Sequence, residues 1–246
     1  MSKKLLIIVV CAALAVAGAA MSTVAFLTDR AQVTNVFTVG DVQITVDETK
    51  VNQDGVPVDE EGNLLEDGDI PARAIENYYH LLPGRTYTKD PAVTVIAGNE
   101  ECYIRMMVTV SKYSEVMEIM DFLKTNHGDE YPLGLPREVI SAWDPETWIL
   151  KGSVEDTVNN TVTYEFRYYE TVPTQADNLE LTPLFGAITV PGYVTGDQLA
   201  AISDMEITVV GHAIQKATFA NEDAAWAAFE NQNDPVDDPS LPGPNG

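Results

Sequence analysis

Basic residues are scarce in this chain: 14 Lys and Arg stand against 38 Asp and Glu in 246 residues, for a formal charge of -24. Affinity for nucleic acid or an anionic lipid surface comes from cationic side chains displacing counterions, so this composition argues against both as ligands of the mature chain. Cysteine is nearly absent. Cys11 lies within an apolar run and Cys102 stands alone after it, which excludes a disulfide framework or a thiolate metal cluster within one chain. The histidines are His80, His127 and His212, far apart and without an H-E-x-x-H pattern. There is no G-x-S-x-G and no phosphate-binding P-loop, and no spacing of carboxylates marks out a general acid and base. His127-Gly128-Asp129-Glu130 offers one nitrogen and two oxygens to a metal, but it reads more simply as a loop after a helix. The residues give no catalytic group, metal ligand or cofactor-binding residue, and they point to a binding or structural module.

What is present begins with an export pattern. Lys3 and Lys4 precede an uncharged run from Leu5 to Ala20, followed by the small residues Ser22-Thr23-Val24-Ala25. Together they read as a secretory signal peptide over 1–25, cut between Ala25 and Phe26, with a cut after Ala20 as the second choice. The alternative is a permanent anchor, since counting on to Leu27 gives the roughly 20 residues that span a bilayer. The chain is thus expected to meet a membrane only before cleavage and to act outside the cell, in an extracellular matrix or at the cell surface.

Along the rest of the chain the hydrophobic period is mostly two. Asp41 to Asp47 places Val42, Ile44 and Val46 on one face, and Glu101 to Ser111 sets Cys102, Ile104, Met106, Val108 and Val110 inward. Strands are expected also at Thr86 to Val95, Trp148 to Leu150, Thr161 to Tyr169, Leu184 to Val190 and Met205 to Lys216. Between Asp47 and Asp69 the turn pairs Asp54-Gly55, Glu61-Gly62 and Asp67-Gly68 predict an acidic, protruding hairpin or loop whose spacing does not fit a calcium-binding loop. The period changes to helical from Tyr113 to Thr125, with Val116, Ile119, Met120 and Leu123 on one face. Thr195 opens a helical turn over Leu199 to Ile202, and Asn221 caps a helix to about Asn231 that buries Trp226 and Phe229. The pattern implies an all-β fold, an antiparallel sandwich with short inserted helices, over 41–232, followed by a Pro- and Gly-rich tail, 233–246, that lacks an LPxTG sequence and cannot fold alone.

The stretch Val24-Ala25-Phe26-Leu27-Thr28-Asp29, with Asn35-Val36-Phe37-Thr38-Val39-Gly40-Asp41-Val42 after it, resembles the processed N-terminus of the TasA/camelysin family, whose signal peptides are cut by a SipW-type signal peptidase. PGRTYTKDPAVTVIAGNEECYIRMMVTV from Pro83, PLFGAITVP from Pro183 and ITVVGHAIQKATFANEDAAWAAF from Ile207 are similar too, in order along most of the mature chain. The resemblance implies a jelly roll and a fibre subunit of a biofilm matrix, joined to copies of itself and to other matrix proteins by N-terminal strand addition. The segment 26–40 is then the assembly strand, with Val33, Phe37 and Val39 of one parity filling pockets of a neighbour. The alternative is that this segment pairs within its own protomer as an ordinary first strand. The family also contains members classed as metallopeptidases, so a secreted camelysin-like metallopeptidase is the rival expectation, and it carries over no catalytic residue here.

Overall fold

The computed structural model describes residues 25–28, 42–127, 140–141, 143–217 and 219–233. The signal peptide up to residue 24, Val33, Phe37 and Val39 of the assembly segment, the Gly128-Asp129-Glu130 stretch and the tail after residue 233 lie outside the described residues.

In chain order the first elements are β1 (Ala25–Thr28), β2 (Ile44–Thr49), β3 (Arg73–Ala74), β4 (Tyr78–Leu81), β5 (Thr86–Thr88) and β6 (Ala92–Val95). The central ones are β7 (Cys102–Ser111), α1 (Tyr113–His127), β8 (Ile140–Ser141), β9 (Trp148–Asp156) and β10 (Thr161–Tyr168). The last are β11 (Leu179–Glu180), β12 (Ala187–Thr189), α2 (Gly196–Ala201), β13 (Ile207–Gln215) and α3 (Glu222–Asn233). Every strand pair is antiparallel among the described residues. One four-stranded sheet runs β13-β7-β10-β9 and a second β11-β6-β2-β3, with smaller sheets β5-β12-β8 and β1-β4 beside them. The chain is therefore an antiparallel β-sandwich with few and short helices.

Alternation drives the packing. Cys102, Ile104, Met106, Val108 and Val110 of β7 are buried with Val162, Tyr164 and Phe166 of β10 and with Ile207 and Val209 of β13. Ile44 and Val46 of β2 and Val93 and Val95 of β6 close the core from the second sheet. The sheets approach closely at Gly211 on β13, where a Cβ would stand 2.5 Å from Val46 Cγ2 and 3.2 Å from Ile44 Cδ1, so any side chain there would force its neighbours to shift. Helix α1 buries the apolar stripe read from its sequence, Val116, Ile119, Met120 and Leu123. The chain turns into it at Lys112, whose φ is 54°, and Asn160 Oδ1 accepts the Ser114 N–H at 2.9 Å. Thr195 and Gln198 form a capping box on α2, and Asn221 Oδ1 accepts from Ala224 N at 2.9 Å to start α3.

Three expectations need correction. The stretch Thr86 to Val95 is two strands, because Lys89-Asp90-Pro91 interrupts it: proline has no ladder N–H, and β5 joins β12 while β6 joins β2. Leu184 to Val190 reduces to the three residues of β12, with Leu184 and Phe185 buried ahead of it and the Leu184 N–H donating to the Pro91 carbonyl at 2.9 Å. The acidic segment from Asp47 has the hairpin character expected, with antiparallel bridges Val51↔Pro57 and Val58↔Leu64, but it does not protrude throughout, since its first residues finish β2, Glu48 is fully buried, and Val51 and Val58 enter the interior. Gly55, at φ 73°, lets that segment lie against Tyr87, and a Cβ there would stand 2.7 Å from the Tyr87 ring.

Candidate functional site

The densest buried polar cluster forms where β2, the start of β4 and the β5–β6 break meet. Glu48, Asn77 and Lys89 are 1%, 3% and 0% exposed. Lys89 Nζ lies 2.8 Å from Glu48 Oε2, and Asn77 Nδ2 donates to Glu48 Oε1 at 2.7 Å and to the Thr49 carbonyl at 2.8 Å. The Val51 N–H donates to Asn77 Oδ1 at 2.9 Å, so each polar position of that carboxamide is occupied, and a flipped amide would set its oxygen against two acceptors. Tyr79, fully buried, closes the site and donates its hydroxyl proton to the Thr88 carbonyl at 3.0 Å. Asp90 accepts from Thr49 N at 2.6 Å and Thr49 Oγ1 at 2.7 Å, while Arg73 lies 2.7 Å from Asp47 and 3.5 Å from Asp90 at the rim.

Burial dominates the electrostatics here. It pushes the Glu48 carboxyl up, with Asp90 and Asp47 adding to the rise, and it pulls the Lys89 ammonium down. Both shifts oppose the charged forms, so burial favours passing the proton from Nζ to Oε2, against the mutual attraction of the pair. Tyr79 is raised by burial and by Glu48, which keeps its phenol protonated.

A second feature is the edge of β4. β1 pairs with it in the register Ala25↔Leu81, Phe26↔His80, Leu27↔Tyr79 and Thr28↔Tyr78, forming a separate two-stranded sheet. Ala25 and Phe26, expected to flank the signal cleavage, thus lie on a strand bound to the same chain, and removal of Ala25 leaves three of these pairs.

The histidines fall on different elements. His80 is on β4, and His127 ends α1 with its ring 3.9 Å from that of Tyr193. His212, on β13, accepts a hydrogen bond at Nδ1 from Arg105 Nε at 3.1 Å. Burial and the Arg105 guanidinium lower His212 to about 4. Arg105 is itself 4.4 Å from the Trp226 ring centroid and 2.6 Å from Glu230, so it binds α3 to β7. Among the described residues no three His, Cys, Asp or Glu side chains gather as a metal set. In the acidic segment, Asp59 accepts from Asn63 N at 2.7 Å and Asp69 from Glu66 N at 2.9 Å, so these two carboxylates hold their own turns, while Asp54 pairs with Arg85 outside the segment at 3.0 Å.

An apolar cavity of about 60 Å³ lies between α1, α2 and β12, lined by residues such as Val116, Met120, Val190 and Leu199. It is far smaller than the ~300 Å³ at which small-molecule sites begin. No described helix is long and apolar enough to cross a membrane.

Sequence reading did not single out Glu48, Asn77 or Lys89. One signal for them was available: Lys89 shares the parity of Tyr87, so a cation sits on the inward face of a strand pattern and requires a buried partner. The chain matches no protein-family model, no curated protein and no solved structure.

Proposed function

We propose that the chain is an exported structural protein, a fibre-forming subunit of an extracellular matrix that assembles by strand addition after a SipW-type signal peptidase frees its N-terminal segment. The observation that supports this reading is the backbone pairing of β1 with β4, which within one protomer is the arrangement of an ordinary first strand and which strand addition would form between copies. The residues directly after the apolar run form a strand that holds to the sandwich by backbone pairing at one edge, in a sheet of its own. The same edge of one copy fits the same strand of another, and exchange of an identical element between protomers is a low-cost route to assembly. While the apolar run is attached, the segment stays tied to the membrane, which holds back polymerisation inside the cell. Val33, Phe37 and Val39 then extend the contact as side chains of one parity. A jelly-roll winding of the strands belongs to this reading, supported by the antiparallel pairing within two facing four-stranded sheets. Copies of the chain itself and other matrix proteins are the partners it implies.

The test compares the chain starting at Phe26 with one starting at Gly40, using light scattering for size and circular dichroism for folding. The shorter chain is expected to fold and to remain monomeric while the longer one forms fibres. Fibres from the shorter chain overturn strand addition, and its failure to fold means that the segment is an ordinary first strand.

A further inference from the structure

Two buried nitrogens of different chemistry share one buried carboxyl. Lys89 Nζ is 2.8 Å from one oxygen of Glu48, and the amide nitrogen of Asn77 is 2.7 Å from the other. An ion pair alone explains this poorly, because a buried Lys–Glu pair is often no more stabilising than apolar residues of the same volume, and it needs no carboxamide. We propose that Lys89 and Asn77 react with each other to form an intramolecular isopeptide bond, with Glu48 as the carboxyl that carries the protons.

Each part of such an acyl transfer has its group. The nucleophile is the Lys89 amine, released when its proton passes to Glu48, 2.8 Å away, and burial favours that transfer by pushing the carboxyl up and the ammonium down. The electrophile is Asn77 Cγ. As Nζ bonds to it, the carbonyl electron pair moves to Oδ1, where the Val51 N–H at 2.9 Å already stands as a donor to the developing oxyanion. The protonated Glu48 gives its proton to Nδ2, to which it is already hydrogen-bonded, and takes one from Nζ. The Cγ–Nδ2 bond then breaks, nitrogen leaves as ammonia with the electron pair, and the carbonyl re-forms. An amine and a primary amide thus become a secondary amide and ammonia, Glu48 is regenerated, and no oxidant, metal or further reactant enters. Tyr79 and the burial of all three groups keep out the water that would otherwise compete as nucleophile.

The experiment uses the full protein, denatured and digested with trypsin after folding, and reads peptide masses. An acylated Lys89 is not cut, so the bond yields peptide 74–85 joined to peptide 86–105, lighter by one ammonia than the two together. That species is expected in the native chain. Lys89→Arg keeps a buried cation but is expected to give unlinked peptides with Asn77 unmodified, and Glu48→Gln is expected to stop or greatly slow the linkage. Circular dichroism before digestion shows whether each variant has folded, and where a variant does not fold the native chain alone decides whether the bond exists. A folded native chain that releases peptides 74–85 and 86–89 separately overturns the bond. Loss of ammonia that persists in Lys89→Arg overturns it too, since the nitrogen then leaves by another route, and undiminished linkage in Glu48→Gln refutes the role of the carboxyl.

Discussion

His212 makes the fold sensitive to acid in a way that one substitution can isolate. Its Nδ1 accepts from Arg105 Nε at 3.1 Å, its ring lies 4.8 Å from that of Phe229, and burial followed by the guanidinium brings it from 6.5 to about 4. Above pH 6.5 the imidazole is neutral folded and unfolded, so it adds no pH dependence. Between 6.5 and about 4 the unfolded chain takes up a proton that the folded one refuses, and stability falls as pH falls, levelling off below that window. The whole gap converts to about 3 kcal/mol, at about 1.4 kcal/mol per tenfold change in proton affinity. In His212→Gln a side-chain carbonyl can still accept from Arg105 but cannot titrate. Urea unfolding at about pH 7.5 and about pH 4.5 should therefore show the native chain losing about 2.5 kcal/mol more than the variant across that step, the carboxylates common to both cancelling. Equal losses refute the argument, because His212 would then take its proton as readily folded as unfolded.

Other outcomes follow from the packing. Gly211→Ala places a methyl group against Val46 and Ile44 of the facing sheet and is expected to destabilise by about 1–3 kcal/mol, read as a lower urea midpoint. Leu123→Ala, at the fully buried end of the α1 stripe, should lose about 2–5 kcal/mol by the same measurement. The Cys102 thiol is pushed by burial up to about 11, so a thiol reagent at neutral pH is expected to label it only in denaturant, and Cys102→Ala should leave the fold in place.

Legibility in the sequence followed the length of each pattern. β7 and α1 carry five and four inward residues at a single period, and the structure buries all of them, while Arg105 on the other face of β7 is buried too, covered by α3, which the period of β7 does not foretell. The two-residue strands β3, β8 and β11 are shorter than any alternation, and β4 is formed by Tyr78 to Leu81, a sequence without turn signals at fixed offsets. They exist because a neighbouring strand offers unpaired backbone groups, which is tertiary information. The buried polar cluster was hidden for a related reason. Glu48 lies at the head of an acidic run, where a carboxylate reads as solvated, and Asn77 comes from a segment with no period at all. Only the fold brings them to Lys89, separated from them by 41 and 12 positions of sequence.

The separateness of the β1–β4 sheet sets how the molecule answers a mechanical pull. Tension on the N-terminal segment runs along β1 and crosses to β4 as shear over four residue pairs. From there it reaches β2 through Asn77 at the head of β4, whose side chain is tied to Glu48 and the Thr49 carbonyl. β2 lies inside a four-stranded sheet and packs against β13, so the resistance beyond β4 is spread over much of the core. The joint at β1 is the first ladder on that path, four pairs in a sheet of its own, and slips first. A stretched chain of this kind lets go at an edge that can pair again, and the sandwich behind it stays intact.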